Sequence, residues 1–474
     1  MADEPRKRVA VLGAGPGGYP AAFLAAERGF DVTLIDERQN PGGVCLNVGC
    51  IPSKALLHAA ELLHDASTAE TLGITFGEPQ IDIEKLRAWK DTAVVAKMTG
   101  GLAQIAKARK VRYVRGRGRF VSAGMLRVAV DGEVTDVEFD YAIVATGSSP
   151  AIPGPLQLES ERVWDSTAAL ELREVPKRLL VVGGGYIGLE MATVYSELGS
   201  SVTVVEMTGS LLPGADPDLA KILADSIKSR VDEVLLETSV IGLRDSGTAI
   251  EAELSNADLQ ESREYDRVLI ATGRKPNSAN LGLEDTAVKL DKRGFIEVDA
   301  QRRTAEPNIF AVGDVAGEPM LAHKATHEAS VAVEAMAGEP VAWEPAAIPA
   351  VVYTDPEVAW CGLTETEATA RGIEIEVTRF PWTASGRATT VARPQGITKI
   401  IVEPGTERVL GVGIVGRGAG ELIAEGTLAV EMGARLDDLR LTIHPHPTLS
   451  ETLMEAADVF FNVSPHYIGR RRKK

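Results

Sequence analysis

The chain contains the same long sequence pattern twice, at residues 8–36 and at residues 178–206. Each copy reads as an apolar segment, a glycine-rich turn, a helical stretch and a second apolar segment that ends in an acidic residue. Glycines allow a tight turn and let a pyrophosphate approach the positive end of the following helix. The pattern therefore predicts two βαβ units of the dinucleotide-binding type, related by duplication of one fold.

Each copy is completed by a later apolar strand. Residues 141–147 read YAIVATG and residues 268–273 read VLIATG, so both strands run into a small turn. We therefore predict an α/β fold with a first dinucleotide-binding domain at 1–147, a second at 148–274, and a central segment at 275–345 that completes the first site.

The sequence between and after these units predicts further elements. Residues 83–108 have an amphipathic pattern that predicts a helix, and alternation at 111–130 and 235–255 predicts strands. Beyond residue 346, short apolar strands alternate with helical stretches at 364–371, 418–432 and 448–460. This arrangement predicts a separate α+β domain over residues 346–474.

The first copy carries the turn GAGPGG after an apolar strand, and Asp36 ends its second strand. A glycine fingerprint alone is weak evidence. With a strand before it, a helix after it and an acid at this offset, it indicates a nucleotide site, because the acid can accept from a ribose hydroxyl. We assign Gly13, Gly15 and Gly18 to this site; glycines used only for packing are the alternative.

The second copy carries GGGYIG, with Gly183, Gly185 and Gly188, and its second strand ends in Glu206. A carboxylate at that point would repel a 2′-phosphate by on the order of 1 to 4 kcal/mol at effective dielectric constants between about 80 and 20. The following residues, 207–213, contain no lysine or arginine to bind such a phosphate. The second site is therefore predicted to bind NAD rather than NADP.

Two cysteines, Cys45 and Cys50, lie in the segment GGVCLNVGCIPSK directly after the first unit. An uninterrupted helix would hold their Cα atoms roughly 8 to 9 Å apart, beyond the ~7 Å limit for a disulfide. A bridge requires a bend, for which Gly49 gives backbone freedom while Pro52 ends or kinks the helix. We interpret the pair as a redox-active disulfide; two unpaired buried thiols or a metal site are the alternatives, and zinc would need a second ligand pair.

Two dinucleotide sites and a dithiol suggest an electron path from nicotinamide to flavin to disulfide. A flavin is required because a hydride must become an electron pair that a disulfide can accept. The cysteines follow the first fingerprint, so FAD is assigned to the first site and NAD to the second.

Charge and cysteine content restrict the partners. A net charge of −17 disfavours a nucleic-acid partner, and the basic stretches at 107–119 and 470–474 are interpreted as solvated surface. Three cysteines, an N-terminus without an apolar signal core and the lack of an apolar run of ~18 residues predict a cytoplasmic protein without a membrane partner. Cys361 is interpreted as a small buried residue.

These residues resemble the lipoamide-type members of the pyridine nucleotide-disulfide oxidoreductase family nearly from end to end. The resemblance rests on the segments GGVCLNVGCIPSKALL, GGGYIGLE, ATGRKPN, IFAVGDVAGEPMLAHKA, YTDPEVAWCGLTE and IHPHPTLSE. It implies Rossmann-like FAD and NAD domains followed by a C-terminal α+β dimerisation domain.

The resemblance also implies roles for individual residues. Asp314 would bind the flavin ribityl chain, and Lys54 would pair with Glu190 beside the reactive flavin edge, where an ordinary surface lysine and helix glutamate are the alternative. The remaining residues assigned to FAD by resemblance are Gly116, Ala145, Thr146, Gly147, Met320, Leu321, Ala322 and His323, and those assigned to NAD are Tyr186 and Gly273. His323 and His327 have a spacing that suits a metal, but no third ligand is apparent and no metal is predicted.

The last motif, IHPHPTLSE, contains a candidate for the base that deprotonates a thiol substrate. A thiol with an ordinary pKa of about 8.5 is mostly protonated at neutral pH, so a dithiol substrate needs a base. We predict His446 for this role, with Glu451 accepting its other ring N–H, and His444 as the weaker candidate. In the family this pair comes from the partner subunit, so the resemblance implies a homodimer in which Cys45 exchanges with substrate and Cys50 lies next to the flavin.

The resemblance implies oxidation of dihydrolipoamide on a lipoyl domain, with NAD⁺ reduced through FAD, in 2-oxoacid dehydrogenase complexes or glycine cleavage, and docking to an acyltransferase core. A related disulfide reductase acting on another small thiol is the alternative, and a flavin-binding assembly subunit without turnover is a further one. Two residues depart from the commoner pattern: Tyr186 stands where an aliphatic residue is frequent, and Pro445 stands between the two histidines.

Overall fold

The computed structural model describes residues 6–130, 133–258 and 260–469 of the chain. The basic tail at 470–474, interpreted above as solvated surface, lies outside the described residues. The fold is built on two parallel sheets and one antiparallel sheet, each with its own hydrophobic core.

The first parallel sheet contains both strands of the first predicted unit at its centre. In spatial order its strands are Ile309–Ala311, Tyr141–Val144, Arg8–Leu12, Asp31–Asp36 and Arg112–Arg115. The outer strand Ile309–Ala311 comes from the predicted central segment, so that segment is part of the sheet on which the first site is built. The strands Arg8–Leu12, Tyr141–Val144 and Ile309–Ala311 are buried on both faces, which explains their continuous apolar sequence.

Helices cover one face of this sheet and a small antiparallel sheet covers the other. The helices Gly18–Glu27 and Ala322–Met336 share a core with the sheet through alanine-rich faces. On the opposite face lie the antiparallel strands Arg117–Ser122, Met125–Val130 and Glu133–Glu138.

The second parallel sheet repeats this plan. In spatial order its strands are Glu233–Leu235, Ser201–Val205, Arg178–Val182, Arg267–Ile270 and Val163–Trp164. Its helices are Ser166–Glu171, Tyr186–Glu197 and Pro217–Ile227, and its second face is covered by the antiparallel strands Ser239–Asp245, Ile250–Ser255 and Gln260–Tyr265. The predicted duplication is therefore seen in both the order and the pairing of the strands.

One short ribbon, the helices between the second and third strands of the chain and several 3₁₀ turns add to these sheets. The strands Ser148–Pro150 and Arg274–Pro276 pair antiparallel where the chain passes between the sheets. The predicted helix near 83–108 is observed as Ile83–Ala88, the π-helical Trp89–Ala96 and Lys97–Ala108. Single 3₁₀ turns occur at Ala69–Leu72, Gly154–Leu156, Leu283–Asp285, Gly313–Ala316 and Trp382–Ala384.

The C-terminal part forms the predicted α+β arrangement around an antiparallel sheet. In spatial order the strands are Ala350–Val352, Glu357–Gly362, Val409–Gly416, Ile397–Val402 and Glu376–Pro381. Its helices are Glu365–Arg371, Gly386–Thr390, Ala419–Glu431, Leu436–Leu441 and Glu451–Phe461. Cys361 is buried in this core, as predicted. Among the described residues, no helix combines the length and the apolar composition needed to cross a bilayer.

Candidate active site

The two cysteines lie on consecutive helices that meet at a sharp bend. Cys45 is in the helix Gly43–Val48, and Cys50 begins the helix Cys50–Thr68. Gly49 joins them, and a Cβ there would lie 3.0 Å from the Val44 carbonyl oxygen and 3.2 Å from the Cys45 Cα. The predicted bend is therefore located at Gly49, where any side chain would crowd the preceding helix.

Pro52 has a different position from the one predicted. It does not end the first helix but lies in the first turn of the second, at Cys50–Thr68. Backbone N–H groups in a first turn have no partner within the helix, so proline is tolerated there. Pro52 therefore helps to begin a new helix immediately after the bend.

The Cys45 and Cys50 thiols form a hydrogen-bonded pair, and Cys50 is the more acidic of the two. The bond from Cys45 lowers the pKa of Cys50 to about 7, and the Lys54 ammonium acts in the same direction against the effect of burial. The same hydrogen bond, together with burial, raises the pKa of Cys45. The shared proton is thus held at Cys45 Sγ, while Cys50 becomes the thiolate near neutral pH.

Lys54 lies one helical turn after Cys50 and forms the predicted pair with Glu190. Its Nζ is 2.9 Å and 2.8 Å from the two carboxylate oxygens of Glu190, which is itself buried. Ser53 Oγ also donates to Glu190, at 2.6 Å. The helix Cys50–Thr68 of the first unit is thereby joined to the first turn of the helix Tyr186–Glu197 of the second.

A cavity of about 640 Å³ runs from the first glycine turn to the cysteines. Its volume is within the range of small-molecule and cofactor sites. The predicted residues that line it are Gly13, Gly15, Asp36, Cys45, Cys50, Lys54, Gly116, Ala145, Thr146, Gly147, Tyr186, Glu190, Asp314, Met320 and Ala322.

Three predicted FAD residues lie outside the lining of this cavity. A Cβ at Gly18 would lie 1.8 Å from the Gly13 carbonyl oxygen, so Gly18 allows the helix to pack against the strand. Leu321 precedes the helix Ala322–Met336 without lining the cavity. The ring of His323 instead donates to the Pro349 carbonyl at 2.7 Å.

Backbone crowding forms the floor of the cavity at the first fingerprint. Gly43, with a φ of +58°, lies so close to the fingerprint that a Cβ on it would be 2.4 Å from the Gly15 Cα. The carboxylate of Asp36 accepts from the Ala14 N–H at 2.7 Å and the Arg38 N–H at 2.9 Å. An exposed glycine backbone beside a helix N-terminus is the surface that a pyrophosphate requires, so these residues fit a dinucleotide such as FAD.

Sequence reasoning missed the contribution of Asn277 to this cavity. Its side-chain amide donates to the Thr146 carbonyl at 3.0 Å, and its own carbonyl accepts from Thr146 Oγ1 at 2.7 Å. The repeated ATG turns at 145–147 and 271–273 were the available signal, because the two turns lie near each other where the chain passes between the sheets.

The turn that carries Asp314 is held by a buried charge cluster that the sequence did not reveal. Asp314 accepts from Ser148 Oγ at 2.5 Å. Behind the turn, Glu328 accepts from the Gly313 N–H at 2.6 Å and pairs with Lys324 and Arg302 at 2.9 Å and 3.0 Å. Lys324 also donates to the Gly317 carbonyl at 3.1 Å.

The second fingerprint has the same backbone geometry as the first. A Cβ at Gly188 would lie 2.1 Å from the Gly183 carbonyl, whereas Gly185 has open space around it. Glu206 accepts from the Gly184 N–H at 2.7 Å and from the N–H and hydroxyl of Thr208 at 2.8 Å and 2.7 Å. Gly273 follows the strand Arg267–Ile270 beside this turn.

His446 and Glu451 form the predicted pair on the C-terminal domain. Nδ1 of His446 is 2.8 Å from Glu451 Oε1, and the second carboxylate oxygen accepts from the Thr448 N–H at 2.6 Å. The His446 side chain is 72% exposed and does not line the cavity of its own chain. The other ring nitrogen, Nε2, therefore remains available to a group outside the chain. His444 is 5% exposed and bonds to Glu425 and the Thr442 carbonyl.

A cluster of three acids elsewhere surrounds a lysine rather than marking a metal site. Asp216, Asp218 and Glu365 face Lys399, whose Nζ is 2.6 Å, 2.7 Å and 3.0 Å from their oxygens. Because the ammonium occupies the centre of the acidic cluster, this ion network joins the second unit to the C-terminal domain.

The matches to protein families cover nearly the whole chain. Residues 7–329 match the pyridine nucleotide-disulphide oxidoreductase model, and residues 348–457 match the dimerisation domain of the same family. The chain belongs to the pyridine nucleotide-disulphide oxidoreductase family. As a member it is a flavoprotein oxidoreductase with FAD and NAD as cofactors, and its dimerisation domain makes it a homodimer.

Curated relatives in this family include a dihydrolipoyl dehydrogenase of Vibrio cholerae, 50% identical over 97% of both chains, and one of Thermus scotoductus, 46% identical over 97% of this chain and 98% of the relative. Among solved structures, LpdA from Mycobacterium tuberculosis has a TM-score of 0.89 at 29% identity, covering 96% of this chain and 99% of that one. The HOCl-induced flavoprotein disulfide reductase RclA from Escherichia coli has a TM-score of 0.84 at 27% identity, covering 95% and 99%.

Proposed function

We propose that this flavoprotein oxidises dihydrolipoamide carried on a lipoyl domain to lipoamide and reduces NAD⁺ to NADH. The observation that carries the proposal is the hydrogen-bonded pair Cys45 and Cys50 in the wall of the dinucleotide cavity, beside Lys54. Relatives about 50% identical over nearly the full chain are named dihydrolipoyl dehydrogenases, which supports this substrate over another small thiol.

The two cysteines exchange electrons with the substrate by thiol–disulfide exchange. A substrate thiolate attacks Cys45 of the disulfide, forming a mixed disulfide and releasing Cys50 as a thiolate. The second substrate thiol then displaces Cys45, so that the substrate leaves as a disulfide and the two protein sulfurs gain two electrons. The pKa of about 7 for Cys50 makes it the better leaving group of the two.

The residues lining the cavity would hold FAD with its ring next to Cys50. When bound, FAD supplies a carrier that accepts two electrons from the dithiol and passes them on as a hydride to NAD⁺. Gly13, Gly15 and Gly43 provide backbone room for the pyrophosphate, Asp36 the ribose contact, and Asp314 a polar contact for the ribityl chain. Lys54, neutralised by Glu190, lies beside Cys50 at the end of the cavity where the flavin ring belongs.

The second fingerprint would bind NAD. Gly183, Gly185 and Gly188 would form the turn for the pyrophosphate, and Glu206 would accept from the ribose hydroxyls. Tyr186 lines the cavity from the second unit, on the side where the nicotinamide would enter. The absence of basic residues at 207–213 and the buried carboxylate of Glu206 favour NAD over NADP.

The base comes from the second subunit of the homodimer. His446 of the partner subunit would take the proton of the attacking substrate thiol at Nε2, while Glu451 holds the Nδ1 proton and stabilises the imidazolium. Because the His446 ring is exposed on its own chain, this role requires the dimer. We further propose a lipoyl domain and an acyltransferase core as partners, a cytoplasmic location, and the domain boundaries given above.

The direct test is anaerobic titration of the purified protein with dihydrolipoamide while its visible spectrum is recorded. The wild type is expected to form a long-wavelength thiolate-to-flavin band at two electrons per subunit and to produce NADH from NAD⁺. Cys45→Ser should reduce this turnover to near zero while flavin content stays unchanged. A protein without bound flavin, or one that turns over normally with Cys45→Ser, would contradict the proposal.

The alternative substrate is tested in the same preparation. A disulfide reductase of the RclA type would oxidise NADH in the presence of another disulfide and give no NADH from dihydrolipoamide. Absence of NADH together with normal flavin binding would therefore favour the alternative.

A further inference from the structure

The C-terminal domain reaches the lysine beside Cys50 through one aromatic residue of its own chain. Tyr353 follows the strand Ala350–Val352, and its ring centroid is 4.5 Å from Lys54 Nζ. The backbone N–H of Tyr353 donates to Glu190 Oε1 at 3.2 Å. Both members of the Lys54–Glu190 pair therefore touch the same residue, although it lies outside the lining of the cavity.

The ring gives the Lys54 ammonium a second contact beside its pair with Glu190. The Lys54 side chain is 33% exposed and has several rotatable bonds, and among the described residues its hydrogen bonds are to Glu190. An ammonium over an aromatic face is attracted by the negative charge density of the ring. The carboxylate of Glu190, in contrast, is fixed from two sides by Ser53 and by the Tyr353 backbone.

We propose that Tyr353 is a positioning residue whose ring face keeps the Lys54 ammonium next to Cys50, so that Lys54 favours the Cys50 thiolate. The inference rests on the proposed function only in that Cys50 is the thiol beside the flavin. The charged and titratable groups that act on Cys50 are Cys45, Lys54 and Glu190. The phenols of Tyr19, Tyr186 and Tyr353 also interact electrostatically with Cys50, and Glu357 and Glu421 act on Tyr353.

The test compares Tyr353→Phe with Tyr353→Leu in the flavin-loaded dimer. Both are made in a Cys45→Ser background, so that a single thiol titrates next to the oxidised flavin. The pH midpoint of the thiolate-to-flavin absorbance band is measured, together with the rate of Cys50 alkylation by iodoacetamide as a second reading. We expect Tyr353→Leu to raise the midpoint by about 0.5 pH unit and Tyr353→Phe to leave it unchanged, since phenylalanine keeps the ring face.

Two outcomes would overturn the proposal: an unchanged midpoint in Tyr353→Leu, or an equal shift in Tyr353→Phe, which would assign the effect to the hydroxyl. If Tyr353→Leu does not fold, Tyr353→Met takes its place, with flavin content and Tm as controls. If the Cys45→Ser protein itself shows no thiolate-to-flavin band, the proposed function is contradicted. The rate of Cys50 alkylation in the Tyr353 variants then still tests the role of Tyr353. A shifted midpoint without turnover of dihydrolipoamide supports Tyr353 and contradicts the substrate.

Discussion

The two βαβ units of this chain have nearly identical glycine turns, but different segments of the chain pack around the two turns. Gly13 and Gly183 both have positive φ values, +99° and +114°, and a Cβ on either would lie within 2.4 Å of a carbonyl oxygen of the closing strand. Asp36 and Glu206 each accept from the backbone N–H of the residue after that glycine, both at 2.7 Å. The two motifs therefore share one backbone geometry against the chain that follows their closing strands.

The units differ in what the rest of the chain adds. In the first unit, Gly43 of the cysteine helix packs on Gly15, and Thr326 of the central segment donates to the Pro16 carbonyl at 2.9 Å. In the second unit, Gly185 has open space and Tyr186 replaces Pro16 at the start of the helix. A fingerprint therefore makes a glycine turn, but segments that return from elsewhere in the sequence enclose the cavity beside the first turn.

The largest expected effect comes from adding a methyl group at the point where the units differ most. Gly43→Ala would place a Cβ 2.4 Å from the Gly15 Cα at a φ of +58°, whereas Gly185→Ala meets no atom within 4 Å. We expect flavin affinity to fall about 100-fold in Gly43→Ala, which corresponds to about 3 kcal/mol. Fluorescence titration of the released flavin measures the change.

Gly185→Ala is the matched control for this comparison and should retain full flavin content and Tm. It is expected to weaken only the binding of NADH. If both variants lose flavin equally, the packing of Gly43 on Gly15 is not the feature that distinguishes the first unit from the second.

The second effect concerns the buried charge cluster behind the Asp314 turn of the first unit. Glu328→Gln leaves Lys324 and Arg302 without their shared buried carboxylate and weakens the support of the Asp314 turn. We expect a loss of about 3 kcal/mol in the free energy of unfolding and faster flavin release, measured by thermal unfolding and by flavin fluorescence. Glu334→Gln, which affects a surface pair on the same helix, should change stability by less than about 1 kcal/mol.

The third effect concerns the acids Asp36 and Glu206, which are neutralised one at a time. Glu206→Gln is expected to weaken NADH binding by about 10- to 50-fold, because a charged acceptor for the ribose is lost, and to leave flavin binding unchanged. Asp36→Asn should do the reverse. Measuring both dissociation constants in both variants tests the assignment of FAD to the first unit and NAD to the second, and an effect on the other cofactor would contradict it.

The smallest effect is expected at Tyr186. Its side chain lines the cavity at the start of the second helix, so Tyr186→Ala should open the nicotinamide side to solvent. Reoxidation of the reduced protein by oxygen is then expected to be about two- to five-fold faster, with flavin content unchanged. Tyr186→Phe keeps the ring and serves as the control; stopped-flow absorbance measures both.

Several features followed from sequence because they are local. The glycine turns, the acids that end the second strands and the bend between Cys45 and Cys50 each depend on residues a short distance apart in the chain. The exact position of the bend, at Gly49 with Pro52 in the first turn of the next helix, was decided by packing against Val44 and Cys45. The pair of His446 and Glu451 was also predicted, since five residues separate them.

The remaining parts of the site depend on distant segments that only folding brings together. The fifth strand of the first sheet, Ile309–Ala311, carries the Asp314 turn to the cavity, and Glu328, Lys324 and Arg302 hold that turn from behind. Tyr353 contacts Lys54 although almost 300 residues separate the two in the sequence. Helix spacing relates Lys324 to Glu328, four residues apart in one helix, but no spacing rule relates that pair to Arg302 or Lys54 to Tyr353.

The sequence by itself determined the two nucleotide turns, the redox pair and the order of the domains, because glycine conformation, strand patterning and helix spacing act over a few residues. The tertiary structure alone decided which turn is enclosed as a cavity, which charges are buried behind it and what surrounds the cysteines. The physical reason is that enclosure and burial depend on contacts between segments far apart in the chain, and such contacts are selected by packing of the whole fold.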